Sequence, residues 1–196
     1  MTDRAGEIEV FLGATAYRDW KRESLAGDAS GRRYMRLSKQ DQTVILMDAP
    51  PPASNDTKPF AQIAKVLKTN DLRAPDILAQ DLERGFLLLS DLGEDDFARW
   101  LAKNPGDEAL LYTLAADVLL KLENVSCPEN LKIMTPKVGA EMIAILGGHY
   151  MDTSTDDLCG EMEKALLAFA PDPNILALRD FHAENLIWRA GHKGTD

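Results

Sequence analysis

The stretch LRDFHAENLIW, residues 178–188, decides how this chain reads. An apolar run, Asn174–Leu178, ends in Arg179-Asp180; Asn185 comes five residues after Asp180, and a second apolar run follows at once. The pattern predicts a short loop between two strands, with an acid at one end and an amide at the other. Phosphoryl transfer uses such a pair on one rigid loop: the carboxylate takes the proton of the acceptor hydroxyl, and the amide oxygen holds a magnesium ion. On this reading Asp180 is the catalytic base, Asn185 is a metal ligand, and His182 orders the loop. A purely structural alternative uses the same residues, an Asx-turn at Asp180 with Asn185 as a turn residue.

Upstream of the loop the pattern is helical back to Gly93. Phe97, Trp100 and Leu101 share one face of a short helix, and Asp107–Asn124 carries the stripe Leu111, Leu114, Ala115, Val118, Leu119 and Leu122. Thr135-Pro136 is an N-cap followed by proline at the first helical position, opening a helix to about Leu146. Leu158, Met162, Leu166 and Phe169 fall in register on another helix, capped by Ser154 or Thr155 and closed by Pro171 and Pro173.

Before Gly93 the period changes. Ser24–Ala26, Arg33–Leu37 and Thr43–Asp48 read as an antiparallel meander, with KQDQ (39–42) as a hairpin turn and Pro50, Pro51 and Pro52 ending the third strand. Phe60, Ile63, Ala64 and Leu67 form a helical stripe behind a cap at Asp56 or Thr57. Ile77–Gln80 and Phe86–Leu89 read as two further strands, the second too continuously apolar to have a wet face. A first helix, capped by Asp3 and running to about Trp20, precedes them all. The change at Ser90–Gly93 divides the chain into 1–91, rich in strands, and 92–196, mainly helical.

Composition narrows the class. With 22 Lys plus Arg against 32 Asp plus Glu, the formal charge of −10 makes a nucleic-acid or anionic-membrane binder a poor fit and leaves a cationic or neutral small partner open. The two cysteines, Cys127 and Cys159, form no disulfide framework, and the first residues lack the basic and apolar regions of a signal peptide, so the expected location is the cytoplasm. The three histidines and two cysteines show no metal-ligand spacing.

Three further segments bear on chemistry. Gly27, Asp28, Ala29, Ser30, Gly31 and Arg32 make a small-residue loop between the first two strands, where backbone N–H groups can approach an anion. It is neither a Walker A loop nor a dinucleotide fingerprint, and a plain turn between strands is the other reading. Arg32, Arg33 and Arg36 follow it, as phosphate ligands or solvated strand positions. The third strand has Met47 and Asp48 where a protein kinase carries a lysine, and Asp48 reads as a surface strand end. The segment LLLSDLG joins the two halves; an adenine ring would fit against backbone groups near Leu89, Ser90 and Asp91, unless the segment is a plain connector.

Taken together, LAGDASGRRYMRL, VILMDAPP, GFLLLSDLG and LRDFHAENLIW resemble, in order, the aminoglycoside phosphotransferase family of the protein-kinase-like superfamily. The GDAS-x-RRY-x-R and MDAPP strings look most like its bacterial branch that phosphorylates cell-wall amino sugars at the anomeric hydroxyl, a branch that also lacks the usual third-strand lysine. The resemblance implies an α+β, two-lobed fold: an N-lobe with a five-stranded antiparallel sheet and a helix over 1–91, and an incomplete, mainly helical C-lobe over 92–196. It implies ATP and Mg2+ as cofactors. The Gly27–Gly31 loop would cover the phosphates, Asp180 would be the base and Asn185 the magnesium ligand. The acceptor would be an amino sugar such as N-acetylmuramate or N-acetylglucosamine, or an aminoglycoside-like molecule. Two departures stand out: Leu178 occupies the position of the usual family histidine, and the strand with the second metal-binding aspartate is expected beyond Asp196. A non-catalytic kinase-like module or an inactive fragment is the reading from another class.

Overall fold

A computed structural model describes residues 3–25, 31–50, 57–129, 131–172, 174–189 and 191. The chain forms two compact units, Met1–Val118 with Arg179–Asp196, and Leu119–Leu178.

The first unit is built on a five-stranded antiparallel sheet in the order β1-β2-β3-β5-β4. Its strands are β1 (Lys21–Ser24), β2 (Arg33–Lys39), β3 (Gln42–Asp48), β4 (Ile77–Asp81) and β5 (Phe86–Ser90). The first three strands form the expected meander, although β1 lies earlier than the expected Ser24–Ala26 run and shares only Ser24 with it. The β2–β3 hairpin turns at Gln40-Asp41, where Gln40 takes a positive φ of 54°. Alternation decides what each face carries. Leu37, Val44, Leu46, Phe86 and Leu88 face one way and pack under Ile8, Phe11 and Leu12 of α1 (Arg4–Gly13). Met47, Leu87 and Leu89 face the other way and pack with Tyr34, Ile45, Ile77 and with Phe60 of α2 (Thr57–Thr69). Covered on both sides, Phe86, Leu87 and Leu88 are fully buried, as their unbroken apolar run predicts.

Asp3 caps α1 by accepting a hydrogen bond from Ala5 N. The helix stops at Gly13, not near Trp20, because the Thr15 hydroxyl bonds back to the Leu12 carbonyl at 2.8 Å and turns the chain. Tyr17 and Trp20 then pack edge to face on the core, their ring centroids 4.8 Å apart. Of the two proposed caps of α2, Asp56 lies outside the described residues, while Thr57 opens the helix.

The hairpin into β5 needs glycine. Gly85 has a φ of 75°, its carbonyl accepts from Ala49 N at 2.9 Å, and a Cβ built on it would lie 1.9 Å from the Ala49 carbonyl oxygen. Gly85→Ala combines a left-handed backbone with a main-chain clash and is expected to destabilise the fold by about 2–4 kcal/mol. Urea unfolding checks this, and an unchanged midpoint would contradict it.

Asp48 corrects the surface reading of the third strand. Alternation sends Met47 to the α2 side and Asp48 to the α1 side, where it is 1% exposed. There Arg4 donates to its Oδ1 from Nε at 2.9 Å and from Nη2 at 2.6 Å.

The first unit continues through α3 (Phe97–Lys103), capped by Asp96, into α4 (Glu108–Leu122), which carries the chain into the second unit. Leu111, Ala115 and Leu122 of the α4 stripe are buried, whereas Leu119 is exposed.

In the second unit Thr135 caps α5 (Pro136–Glu141) by accepting from Val138 N at 3.2 Å, and the helix tightens into a 3-10 segment over Met142–Leu146. Helix α6 (Asp156–Phe169) packs on α5 at Gly139, where a Cβ would stand 2.7 Å from Leu166 Cδ1. The expected α6 stripe is only partly used: Leu166 is half-buried, while Leu158, Met162 and Phe169 are exposed among the described residues. No helix among the described residues is long and apolar enough to cross a membrane.

Candidate active site

The loop after Leu178 is shaped by its own side chains. Arg179 has a φ of 66°, rare for a residue with a Cβ, and this bend delivers Asp180. Ala183–Asn185 forms a 3-10 turn closed by Asn185 N donating to the His182 carbonyl at 2.9 Å. Asn185 Nδ2 donates to the Asp180 carbonyl and to Asp180 Oδ2, both at 2.9 Å, and lies 3.1 Å from His182 Nε2. His182 Nε2 is in turn 3.2 Å from Asp180 Oδ1.

Proton counting assigns this network. The Asn185 amide has two hydrogens, and Asp180 accepts both; His182 then uses Nε2–H as a donor to the other carboxylate oxygen. Each Asp180 oxygen keeps a lone pair for an incoming hydroxyl. Asn185 Oδ1 accepts no hydrogen bond among the described residues. Magnesium keeps several waters and leans on substrate phosphates, so one or two protein oxygens suffice to anchor it. Asn185 Oδ1 beside the Asp180 carboxylate fits that need. Among the described residues no three His, Cys, Asp or Glu side chains gather at a possible metal site.

The flanking runs differ from expectation. Asn174–Leu178 is not a strand, and Leu186–Arg189 makes only a single bridge, Ile187 with Asp96. The backbone partners are Phe97 N to the Leu186 carbonyl at 2.8 Å and Trp188 N to the Asp95 carbonyl at 2.7 Å. The segment pairs with the entry to α3, where Asp96 uses its side chain as a helix cap, so the ladder stops after one step. Beneath it Phe181, Ala183, Leu186 and Trp188 pack on Phe97, Leu111 and Ala115. The apolar positions of LRDFHAENLIW thus hold the polar ones at the surface, where the Asp180 side chain is 81% exposed.

With this geometry in hand, comparison with known sequences decides the family. The model of the phosphotransferase enzyme family, APH, matches residues 21–195. The chain belongs to the APH phosphotransferase family. It is 32% identical to an N-acetylmuramate/N-acetylglucosamine kinase of Caulobacter vibrioides, a match covering 99% of this chain and 65% of that protein. It is 44% and 42% identical to proteins of the same name from Pseudomonas aeruginosa and Pseudomonas putida, each over 51% of this chain and 29% of the relative. The chain therefore spans just under two thirds of the Caulobacter relative.

The other family motifs fall in different surroundings. Residues Gly27, Asp28, Ala29 and Ser30 lie outside the described residues. Gly31 has a φ of 75°, and Arg32 has a buried Nε without a hydrogen-bond partner among the described residues. Arg33 lies 3.5 Å from Asp48 Oδ2. Leu89 is buried inside the sheet, and Ser90 is tied to Asp76 twice: Ser90 N donates to the Asp76 carbonyl at 2.9 Å, and Ser90 Oγ accepts from Asp76 N at 2.8 Å. A surface cavity of about 380 Å³ between α2 and the start of β4, lined by Ala61, Lys65, Lys68 and Ile77, touches none of these motifs.

The sequence left open whether Arg36 binds phosphate, and it did not assign Asp91 a side-chain partner. Arg36 Nε donates to Asp91 Oδ2 at 2.6 Å and Nη2 approaches Oδ1 at 3.3 Å, while Nη1 pairs with Glu94. Gly93 N donates to Asp91 Oδ1 at 3.0 Å. Burial pushes the Asp91 carboxyl up, but hydrogen bonds from Arg36, Gly93 N and Thr43 outweigh it and hold the group below its ordinary value. Burial likewise pulls Arg36 down, and its bonds to Asp91 and Glu94 raise it overall. Period-two patterning places Arg36 on the α2 side of the sheet; nothing in the sequence pairs it with a carboxylate 55 positions away.

Proposed function

We propose that this protein is an ATP- and Mg2+-dependent phosphotransferase acting on a hydroxyl of a small molecule, with an amino sugar of the N-acetylmuramate/N-acetylglucosamine type as acceptor. The observation that carries the reading is the Asp180–Asn185 pair: a carboxylate held at the surface by an amide whose own oxygen accepts no hydrogen bond among the described residues. Family membership and the kinase activity for which the relatives are named support it. An aminoglycoside-like acceptor ranks second within the same chemistry.

The residue roles follow from the chemistry each group can perform. Asp180 orients the acceptor hydroxyl and takes its proton as the oxygen attacks the γ-phosphorus and ADP departs. Asn185 Oδ1 would hold magnesium, which supplies charge neutralisation between the phosphates. The Gly27–Arg32 loop would hold the phosphates, and the buried Arg32 Nε, without a partner among the described residues, supports its inclusion. Adenine would lie against the connector at Leu89, Ser90 and Asp91, using backbone groups other than the Ser90 N–H, which Asp76 occupies. In this scheme residues 1–91 act as the nucleotide lobe and 92–196 as the catalytic lobe.

The test is ATP-dependent phosphorylation of N-acetylglucosamine and N-acetylmuramate, followed by ADP release and product mass. Asn185→Ala is expected to raise the magnesium concentration needed for half-maximal rate by about 10–100-fold, since it removes both a ligand and the partner that orients Asp180. Absence of ADP release with every amino sugar and aminoglycoside tried, by protein that still binds nucleotide, would favour a non-catalytic binding module. That alternative draws on Met47 filling the usual lysine region of the third strand.

A further inference from the structure

We infer that Arg36 is a positioning residue: from the sheet, it clamps the connector Asp91–Phe97, and that connector holds the exit of the Asp180–Asn185 loop. The chain of contacts is continuous within the first unit. Arg36 stands on β2 opposite Ile45, on the same face as Met47, and grips Asp91 through two nitrogens and Glu94 through the third. Asp91 also receives Gly93 N, which closes the bend where Gly93 takes a φ of 104°. One residue past Glu94, the Asp95 carbonyl accepts from Trp188 N, and Phe97 N donates to the Leu186 carbonyl. Leu186 follows Asn185 directly, and Asn185 carries the two bonds to Asp180. The seven residues of the connector are therefore bonded to the sheet at one end and to the catalytic loop at the other.

The physical weight of the clamp lies at the Arg36–Asp91 end. The side chains of Arg36 and Asp91 are 17% and 6% exposed, so this pair is shielded from solvent, unlike the exposed Lys103–Asp95 pair further along. A bidentate guanidinium also fixes direction as well as distance, which an ammonium cannot do. Without it the connector keeps its link to Leu186–Trp188 and the Thr43 bond to Asp91, but loses the two-pronged grip that fixes its direction on the sheet and the tie at Glu94. In the phosphotransferase reading on which the catalytic part of the inference rests, the sheet carries ATP and the loop carries the base. Loss of Arg36 then misplaces the two reactants relative to each other, lowering kcat more than it raises KM for either substrate.

Hydrogen exchange on the purified chain, read by mass spectrometry, separates the clamp from the activity. Arg36→Ala is expected to speed exchange of peptides covering 94–97 and 186–188 by about tenfold or more, while the central strands, reported by Leu46 and Leu88, stay within about twofold. Arg36→Lys is expected to fall between, and the exchanged pair Arg36→Asp with Asp91→Arg to recover part of the protection. Unchanged exchange over 186–188 in Arg36→Ala overturns the inference. So does an equal rise over the central strands, which marks general destabilisation. If exchange spreads as expected but the parent chain transfers no phosphate, the clamp stands and the phosphotransferase reading falls. With an active parent, a kcat ratio no larger than the KM ratio for Arg36→Lys would overturn its positioning role.

Discussion

Replacing Asp180 by asparagine is expected to lower kcat by about 10²–10⁴-fold, the usual weight of a positioned general base. Nucleotide affinity should stay near that of the parent, because the proposed role of Asp180 is on the acceptor hydroxyl. The Asp180 side chain is 81% exposed and sits on a loop held from beneath by Phe181, Ala183 and Leu186, so removing its charge leaves the packing intact. Melting should therefore move by less than about 2 °C, in keeping with surface substitutions worth within ±0.5 kcal/mol. Steady-state ADP release with an amino sugar and calorimetric ATP titration measure the two quantities. A variant as active as the parent would remove Asp180 from the mechanism, and a rate lost together with nucleotide binding would show that it organises the site as a whole.

The second large effect concerns stability. Asp48 is buried beneath α1, and Arg4 neutralises it; the same guanidinium bonds Glu7 at 2.6 Å and the Arg84 carbonyl at 2.7 Å, and lies 3.9 Å from the Phe86 ring centroid. Burial lowers the Arg4 pKa, and the bonds to Asp48 and Glu7 raise it further than burial lowers it, so the cation persists. Arg4→Ala leaves the carboxylate, among the described residues, with the longer contact to Arg33 at 3.5 Å. Breaking a buried pair from one side costs about 3–5 kcal/mol, and the residual Arg33 contact puts this case near 3 kcal/mol. For a chain of this size that is about 6–12 °C in Tm. Arg4→Met with Asp48→Leu should recover most of the loss, since it removes the fully buried carboxylate together with its partner and leaves unpaired the more exposed Glu7. Thermal melts of the single and double variants decide it; an Arg4→Ala melt within about 1 °C of the parent would show that Arg33 and water suffice.

The pair also explains how a motif can be legible and its meaning hidden. MDAPP could be read from the sequence, and the period of two shows that Met47 and Asp48 face opposite ways. Which face α1 covers is not written locally, so a carboxylate at a strand end looks solvated. The same limit applies to Arg36 and Asp91. Each has an ordinary surface composition around it, and only the return of β5 beside β3 brings them within bonding distance. The exposed Leu158, Met162 and Phe169 of α6 make the converse point: periodicity identifies an apolar face, but tertiary neighbours determine how much of it is buried.

The sequence by itself determined five strands, the meander of the first three, α2 before the last two strands, the buried β5, the helical character after Gly93, and the acid–amide spacing at Asp180 and Asn185. These rest on local periodicity, turn residues and spacing, which act over a few residues and survive without knowledge of distant contacts. Only the tertiary structure decided that the flanks of the Asp180–Asn185 loop are not strands, that Asp48 is an interior ion, and that Asp91 answers to Arg36. Each depends on the desolvation or backbone pairing of groups far apart in the chain, and those energies exist only once folding has brought the partners together.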